Sequence, residues 1–261
     1  MSEPDGTDLP AVVAAAWGVR GRPHKGPKPG LSLDRIVAAA VRVADTEGLA
    51  AVSMSRVATE LGAAPMSLYR YVAAKDELLA LMVDAAYGPP PAGPPPAPGP
   101  EERTAPPDGT GWRAGLSRWA WAMREKIQQH PWVLRIPISG LPTLPNEVAW
   151  FEDGLCSLQD TGLEEDEKGS AILLVTGYVR NSASIDVDIA AAVLASGKAP
   201  DEWMSSYART LTQLADPQRF PALTKFIASG VFDRADPPDN EFTFGLARVL
   251  DGLAALIHPR P

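Results

Sequence analysis

Residues 53–75, with the sequence SMSRVATELGAAPMSLYRYVAAK, decide how this chain is organised. Ser53 can cap a short helix, because its side chain can accept a hydrogen bond from a free backbone N–H. Gly62 supplies the backbone freedom that a tight turn between two helices needs. Pro65 is tolerated in the first turn of a second helix, since the N–H that proline lacks has no helical partner there. The stretch therefore predicts two short helices joined by a turn, with Lys75 just beyond the second.

The second of these helices exposes more than it buries. Leu68 and Val72 lie four residues apart and face inward. The side chains left to face elsewhere are those of Met66, Ser67, Tyr69, Arg70 and Tyr71. A helix this short buries too little apolar surface to be present for stability alone, so we interpret it as a helix that reads DNA.

The distribution of charge supports this interpretation, although the net charge of −8 does not. Residues 1–19 carry three acids and no base, and residues 76–261 carry fifteen bases and twenty-five acids. Residues 20–75 carry nine Lys and Arg against four Asp and Glu. The positive potential that attracts phosphate is thus concentrated in the segment that holds the two-helix pattern.

Composition excludes several other classes of protein. The single cysteine, Cys156, excludes an internal disulfide and most cysteine-based metal sites, and the three histidines are widely separated. Acidic residues precede the N-terminal apolar run at 9–19, where a signal peptide needs basic ones. Arg180 stops the most apolar later stretch far short of a membrane span. We expect a cytoplasmic, nucleoid-associated protein without a cofactor or a bound metal.

The chain divides into four parts, and its patterns predict an all-α fold. Residues 1–30 are expected to form a disordered basic arm, and residues 31–87 a helix-turn-helix domain with its first helix at 33–47 and its last at 75–87. Residues 88–107 contain ten prolines and predict a linker or insertion. Residues 108–261 are expected to form a second, larger helical domain, with helices at 112–129, 145–158, 164–195 (interrupted near 184–188), 201–214, 221–228 and 241–257.

Many positions of the N-terminal domain agree at once with one known family. They are Leu33-Asp34-Arg35-Ile36-Val37-Ala38-Ala39-Ala40, Glu47-Gly48-Leu49, Ser53-Met54-Ser55-Arg56-Val57-Ala58, Leu61-Gly62-Ala63, Ser67-Leu68-Tyr69-Arg70-Tyr71-Val72 and Lys75-Asp76-Glu77-Leu78-Leu79. In this form residues 31–87 resemble the TetR family of bacterial transcriptional repressors. The last helix, near 241–253, is similar to that of the subgroup with a tetracycline-repressor-like C-terminal domain.

The resemblance implies a homodimer in which each N-terminal domain places one helix in a major groove of double-stranded DNA. Residues 108–261 would form the effector-binding and dimerisation domain, so that the C-terminal domains dimerise and hold a small-molecule effector. The operator would be near-palindromic, with half-sites about 34–36 Å apart or a multiple of that distance.

The resemblance also assigns positioning contacts. Lys75, beside free N–H groups at a helix start, would bind a phosphate, although a solvated surface lysine is the alternative. Tyr71 would direct its hydroxyl to the DNA backbone, or else pack against the first helix. Tyr69 would contact DNA, or fill the small core between the helices.

Met66 and Ser67, at the exposed front of the second helix, are the expected base readers. Serine can donate or accept a hydrogen bond, and methionine can contact a thymine methyl. Ser53 and Ser55 would contact phosphate from the first helix, although capping explains Ser53 equally well. Arg56 is expected to face outward and do the same.

A second candidate contact precedes the domain. Arg20-Gly21-Arg22-Pro23 resembles the core of an AT-hook, in which Arg20 and Arg22 would enter a narrow A·T minor groove. A disordered basic tail is the alternative.

Aromatic residues dominate the second domain, where six of the seven tryptophans lie. Aromatics at helical spacing usually form core, but a ligand pocket is also largely apolar with a few polar groups. The predicted effector-binding residues are Trp121, His130, Trp150, Phe151, Tyr178 and Asn181.

Two other classes of function are weighed against a repressor released by a small apolar effector. An enzyme is not supported, since the sequence has no nucleophile–base pair, glycine-rich phosphate loop or metal-ligand spacing. A small-molecule-binding helical protein with a non-functional DNA-binding domain is the remaining alternative. The retained positive segment argues against it.

Overall fold

The computed structural model describes residues 9–19, 31–91, 110–138, 140–233, 237 and 239–257. Within these ranges the chain is helical and has no β-strand, which confirms the predicted all-α fold. The N-terminal helices are α1 (Ala11–Ala16), α2 (Leu33–Glu47), α3 (Met54–Glu60), α4 (Pro65–Leu68) and α5 (Lys75–Tyr87). The C-terminal helices are α6 (Thr110–Gln129), α7 (Pro145–Ser157), α8 (Glu165–Ser196), α9 (Pro200–Leu214), α10 (Pro221–Ala228) and α11 (Asn240–Ile257).

Helix α2 begins and ends where its sequence predicts. The Ser32 side chain accepts a hydrogen bond of 3.3 Å from the backbone N of Arg35, which caps the first turn. Gly48 ends the helix with φ of 84°, a conformation that residues with a side chain rarely adopt. Ile36 and Val43 are fully buried where α2 packs against α3 and α5.

The helix–turn–helix unit forms as predicted, with one difference. Gly62 turns the chain with φ of 62°, and Pro65 is the first residue of α4. Regular helix ends at Leu68, after four residues, and the chain continues as a turn whose backbone N of Tyr71 donates to the carbonyl of Leu68. Leu68 is fully buried and holds this short segment on the domain.

The C-terminal domain is built around α6 and α8. Helix α6 packs against α7 and α8, and α8 packs against α11. The largest fully buried side chains of this domain are those of Leu116, Trp119, Ile127, Leu158 and Phe242.

Helix α8 runs without the interruption that we expected near residues 184–188. Asp186 pairs with Arg124 at 3.0 Å, and Asp188 pairs with Arg135. Ala183 is buried at the same level of the helix. The polar residues that suggested a break thus lie on the outer side of a continuous helix, where arginines from other segments neutralise them.

The expected disordered arm contains a helix. Residues 9–19 include α1, which the disorder assignment for residues 1–30 did not foresee. Val13 and Ala14 are buried, and the indole N–H of Trp17 donates to the carbonyl of Thr143 at 2.8 Å. Apolar contacts with the core therefore order this segment, which an isolated six-residue helix could not do.

Helices α9 and α10 form an outlying unit in which no residue is buried. The unit is held by an aromatic cluster, in which Trp203 stacks on Tyr207 and Phe232 contacts both Tyr207 and Phe226 edge-on. In the part of the chain that the structure describes, no helix is long and apolar enough to cross a membrane.

Candidate DNA-binding surface and effector region

Helix α4 and the residue that follows it present apolar and aromatic side chains to solvent. Met66 is 75% exposed and Tyr69 is 46% exposed. Ser67 is half-buried between them. Because both side chains can be reached from solvent, Met66 and Tyr69 stay candidates for contact with DNA.

Two unpaired cations flank this segment. Arg70 and Lys75 are exposed, and neither side chain forms an ion pair or a hydrogen bond with any described residue. Lys75 is the first residue of α5, and the preceding Ala74 provides no side-chain cap. Free N–H groups at a helix start attract anions, and the Lys75 side chain adds a positive charge there. Asp76 and Glu77 lie in the same turn, and Glu77 accepts from the backbone N of Ala73 at 2.8 Å, so a phosphate contact here rests on the Lys75 side chain. Arg70 is a candidate DNA contact beyond the predicted set, and its position next to Tyr69 on the exposed side of the segment is the sequence signal that indicates it.

Arg56 is engaged within the protein. Its Nε donates to Glu47 at 3.1 Å and its Nη1 to Glu60 at 3.1 Å. The hydrogen bond from Arg56 lowers the pKa of Glu47, and the carboxylates raise the pKa of Arg56. The guanidinium joins α2 to α3, and it would have to exchange these partners to contact a phosphate.

The two serines at the start of α3 have different roles. Ser53 caps α3, because its Oγ accepts a hydrogen bond of 3.1 Å from the backbone N of Arg56. Ser55 is exposed, with its carbonyl accepting from Thr59 Oγ1 at 3.0 Å. The hydroxyl of Ser55 is the one that faces solvent without a capping role.

Tyr71 is half-buried and uses its hydroxyl inside the domain. The hydroxyl donates to the carbonyl of Leu31 at 3.0 Å, just before α2. Of the two roles predicted for Tyr71, this contact fits packing within the domain and not a contact with the DNA backbone. Arg20 and Arg22 lie outside the described residues, so the minor-groove arm stays a prediction.

A buried carboxylate joins the two domains at α5. Asp84 Oδ1 accepts hydrogen bonds of 2.9 Å from the backbone N of Asn146 and of Glu147, and the Asn146 side chain donates to Oδ2. Burial raises the pKa of Asp84, while these N–H donors oppose the rise. The carboxylate caps α7, so α5 and α7 are fastened to each other.

The end of α5 contacts an aromatic cluster of the effector domain. Tyr87 meets Trp150 edge-on at 6.2 Å between ring centroids, and Trp150 meets Trp119 at 5.8 Å. The indole N–H of Trp150 donates to the carbonyl of Gly88 at 2.8 Å. Trp150 is buried here, and its neighbour Phe151 is 36% exposed.

A second aromatic cluster lies between α6, α8 and α11. Phe242 meets Trp121 edge-on at 4.6 Å and stacks with Tyr178 at 5.5 Å. The guanidinium of Arg124 lies 4.7 Å from the Phe242 ring centroid and pairs with Asp239 at 2.7 Å. Asn181 lies further along α8 and is exposed.

His130 lies away from both clusters. Its Nδ1 is 2.8 Å from Oδ1 of Asp45 on α2, and Trp132 Nε1 donates to the same oxygen at 2.7 Å. The structure therefore does not bring the six predicted effector residues together. Trp150 and Phe151 belong to one region, Trp121 and Tyr178 to another, and His130 to the contact with the DNA-binding domain.

Two family models match most of the chain. Residues 36–82 match the family described as "Bacterial regulatory proteins, tetR family", and residues 105–257 match "Tetracyclin repressor-like, C-terminal domain". The HTH-type transcriptional repressor DrrR1 of Streptomyces coeruleorubidus is 36% identical over 253 residues, which cover 97% of this chain and 88% of that protein.

Solved structures of bacterial regulators are also similar to this chain. The apo structure of ActR from Streptomyces coelicolor is 26% identical and covers 88% of this chain and 98% of its own, with a TM-score of 0.67. The structure of ActR in complex with actinorhodin is also 26% identical, covers 88% and 97%, and has a TM-score of 0.65. Members of this family are DNA-binding regulators rather than enzymes. On the fold, the exposed helix-turn-helix surface and these matches, the chain belongs to the TetR family of bacterial transcriptional regulators.

Proposed function

We propose that this protein is a repressor that binds a near-palindromic operator as a homodimer and is released by a small, largely apolar effector. The observation that carries the proposal is the exposed α4 surface bordered by Arg70 and Lys75, two cations without a partner among the described residues. Unpaired cations beside an exposed helix favour phosphate contacts, which supply most of the affinity for DNA. The name of DrrR1 supports repression as the mode of action.

The proposed contacts divide into two kinds. Lys75 and Arg70 hold the phosphate backbone and set the register. Ser55 adds a contact from the start of α3, and Ser53 can donate its O–H to a phosphate while its Oγ accepts the capping hydrogen bond. Met66 and Ser67 touch base edges, with Tyr69 beside them. Since neither Met66 nor Ser67 makes a bidentate contact, half-site spacing and DNA shape supply much of the selectivity. Arg20 and Arg22 add contacts in the minor groove.

The homodimer is proposed to form through α8 and α11, which pack against each other. Each presents apolar side chains to solvent in the single chain: Leu173 is 71% exposed, Leu174 is 53% exposed and Phe244 is 60% exposed. Exposed apolar patches of this kind mark protein–protein interfaces. A second copy of the chain would cover them and fix the distance between two recognition helices.

The effector is proposed to bind between α5, α7 and α8, near Trp150. This region touches the last turn of α5, whose first residue is Lys75. The thirteen residues of α5 form a rod of about 20 Å. A ligand that displaces the Tyr87 end would move the Lys75 end as well. ActR has been solved in complex with actinorhodin and with (S)-DNPA, which supports a small-molecule effector of that general kind.

The test is a titration by fluorescence anisotropy with a duplex from the intergenic DNA upstream of the protein's own gene. We expect tighter binding than to a shuffled duplex of the same length, a dimer in light scattering, and release by an effector, with actinorhodin as the first probe. Equal affinity for the native and shuffled duplexes would support the alternative of a small-molecule-binding protein with an inactive DNA-binding domain.

A further inference from the structure

Arg180 on α8 differs from the other arginines of the domain core. It is half-buried, and its Nη1 donates to the hydroxyl of Tyr87 at 3.0 Å. This is its one polar contact among the described residues, and no carboxylate pairs with it there. By contrast, Arg118 pairs with Asp153, and Arg124 pairs with two aspartates. Arg180 is thus a partly desolvated cation whose charge is not neutralised by a neighbour.

The surroundings of Arg180 are aromatic. Tyr87 is 9% exposed and contacts Trp150, which contacts Trp119 in turn. Burial raises the pKa of the Tyr87 hydroxyl, so it meets the guanidinium as a neutral group. The cation therefore lies at the edge of a cluster formed by α5, α6 and α7, at the point where the DNA-binding domain meets the effector domain.

A half-buried guanidinium whose remaining N–H donors have no partner among the described residues can pair with an anion, which Arg118 and Arg124 already do. Small-molecule sites combine an apolar lining with a few polar groups that fix the ligand's orientation. A guanidinium presents five N–H donors in a planar fork that matches a carboxylate, and one donor group here is occupied by Tyr87.

We propose that Arg180 binds the carboxylate of an aromatic acid, which is the effector, with the ring system packed beside Tyr87 and Trp150. The inference rests on the proposed function, because it names the chemical class of the effector. It also gives the effector a direct route to DNA binding. A carboxylate that draws the guanidinium away from Tyr87 removes a hydrogen bond from the last residue of α5. The ligand can shift the equilibrium between the two positions of α5 only by as much as its affinities for these positions differ.

The test measures ligand binding without DNA. The probes are anthraquinone-2-carboxylate and its neutral carboxamide, titrated by isothermal calorimetry at constant pH. We expect the wild-type protein to bind the acid at least about tenfold more tightly than the amide, as a charge-assisted hydrogen bond gives. Arg180→Met should remove the preference, and Arg180→Lys should keep part of it.

Two further variants separate recognition from structure. Arg135→Met removes a cation that is exposed and paired with Asp188, and we expect the acid preference to stay unchanged. Tyr87→Phe removes the hydrogen bond but leaves the cation, and the preference should again persist. Equal binding of acid and amide by the wild type, or an acid preference that survives in Arg180→Met, would overturn the inference.

Operator binding by the wild-type protein is scored separately, with the upstream intergenic duplex and no probe. An acid preference that depends on Arg180 in a protein that does not select its operator would keep the ligand site and overturn the proposed function. Operator binding combined with equal affinity for acid and amide would keep the proposed function and overturn the ligand site at Arg180.

Discussion

His130 and Asp45 meet across the boundary between the two domains, with Nδ1 of His130 2.8 Å from Oδ1 of Asp45. Asp45 belongs to α2 of the DNA-binding domain, and His130 follows directly after α6. Trp132 donates to the same carboxylate oxygen at 2.7 Å. Together with the cap that Asp84 provides for α7, this contact fastens the DNA-binding domain to the effector domain at two separate helices.

Asp45→Ala should weaken operator binding by roughly fivefold, because the loss of two hydrogen bonds of about 1 kcal/mol each allows more orientations of the DNA-binding domain. Binding to a shuffled duplex should be nearly unchanged, since that binding needs no fixed spacing. Anisotropy titrations with both duplexes measure the effect. Asp160→Ala, which removes an exposed acid from a loop of the effector domain, controls for the change in charge.

The effect of Asp45→Ala on the orientation of the DNA-binding domains can also be measured without DNA. Spin labels on Ala38→Cys, an exposed position of α2, in a Cys156→Ser background report the distance between the two DNA-binding domains of a dimer. We expect Asp45→Ala to broaden this distance distribution. An unchanged distribution together with unchanged operator affinity would mean that Asp84 alone sets the orientation.

Lys75→Ala should weaken binding to all duplexes alike and reduce the slope of log affinity against log salt by about one. Met66→Ala and Ser67→Ala should instead change the ranking of operator variants, since they remove contacts to bases. Affinities over a set of single-base operator variants at several salt concentrations distinguish the two effects. Lys225→Ala, an exposed lysine on α10, is the matched control. Uniform loss in all three variants would contradict this division of roles.

Deleting residues 1–29 should weaken operator binding and flatten its salt dependence. Because the deletion also removes α1, the charges need a separate test. The double variant Arg20→Ala/Arg22→Ala keeps α1 and should reproduce part of the change in salt slope, since the deletion also removes Lys25 and Lys28. Trp17→Ala keeps both arginines, loses the hydrogen bond to Thr143, and should leave the slope unchanged. If only Trp17→Ala changes the salt slope, the effect of the deletion comes from α1 and not from the arginines.

Gly245→Ala should destabilise the contact between α8 and α11. A Cβ at this position would clash with the Tyr178 hydroxyl and lie 2.7 Å from its ring, so Tyr178 or α11 must move. Overpacking of this kind costs about 1–3 kcal/mol of unfolding free energy, which exceeds the roughly 0.5–1 kcal/mol that alanine gains over glycine inside a helix. Gly169→Ala, inside α8 with no atom within 4 Å of the new Cβ, should instead gain about 0.5–1 kcal/mol. Thermal unfolding of both variants measures the contrast, and equal midpoints would contradict it.

The sequence by itself determined the helices and the turn that carry the DNA-reading segment. The cap of α2 at Ser32, the cap of α3 at Ser53 and the turn at Gly62 each depend on residues no more than a few positions apart. Local backbone preferences and short-range hydrogen bonds decide such features. The family resemblance could be identified for the same reason, because it rests on these local patterns.

Only the tertiary structure decided which side chains meet. His130 and Asp45 are 85 residues apart, and Arg180 and Tyr87 are 93 residues apart. Their contacts follow from how α2, α5 and α8 pack, which no local spacing encodes. The same packing placed Trp150 and Trp121 in separate aromatic clusters, placed His130 at the contact with the DNA-binding domain, and left Arg180 without a carboxylate partner among the described residues. Hydrophobic burial fixes these helix positions first, and the polar partners of each side chain are a consequence of that arrangement.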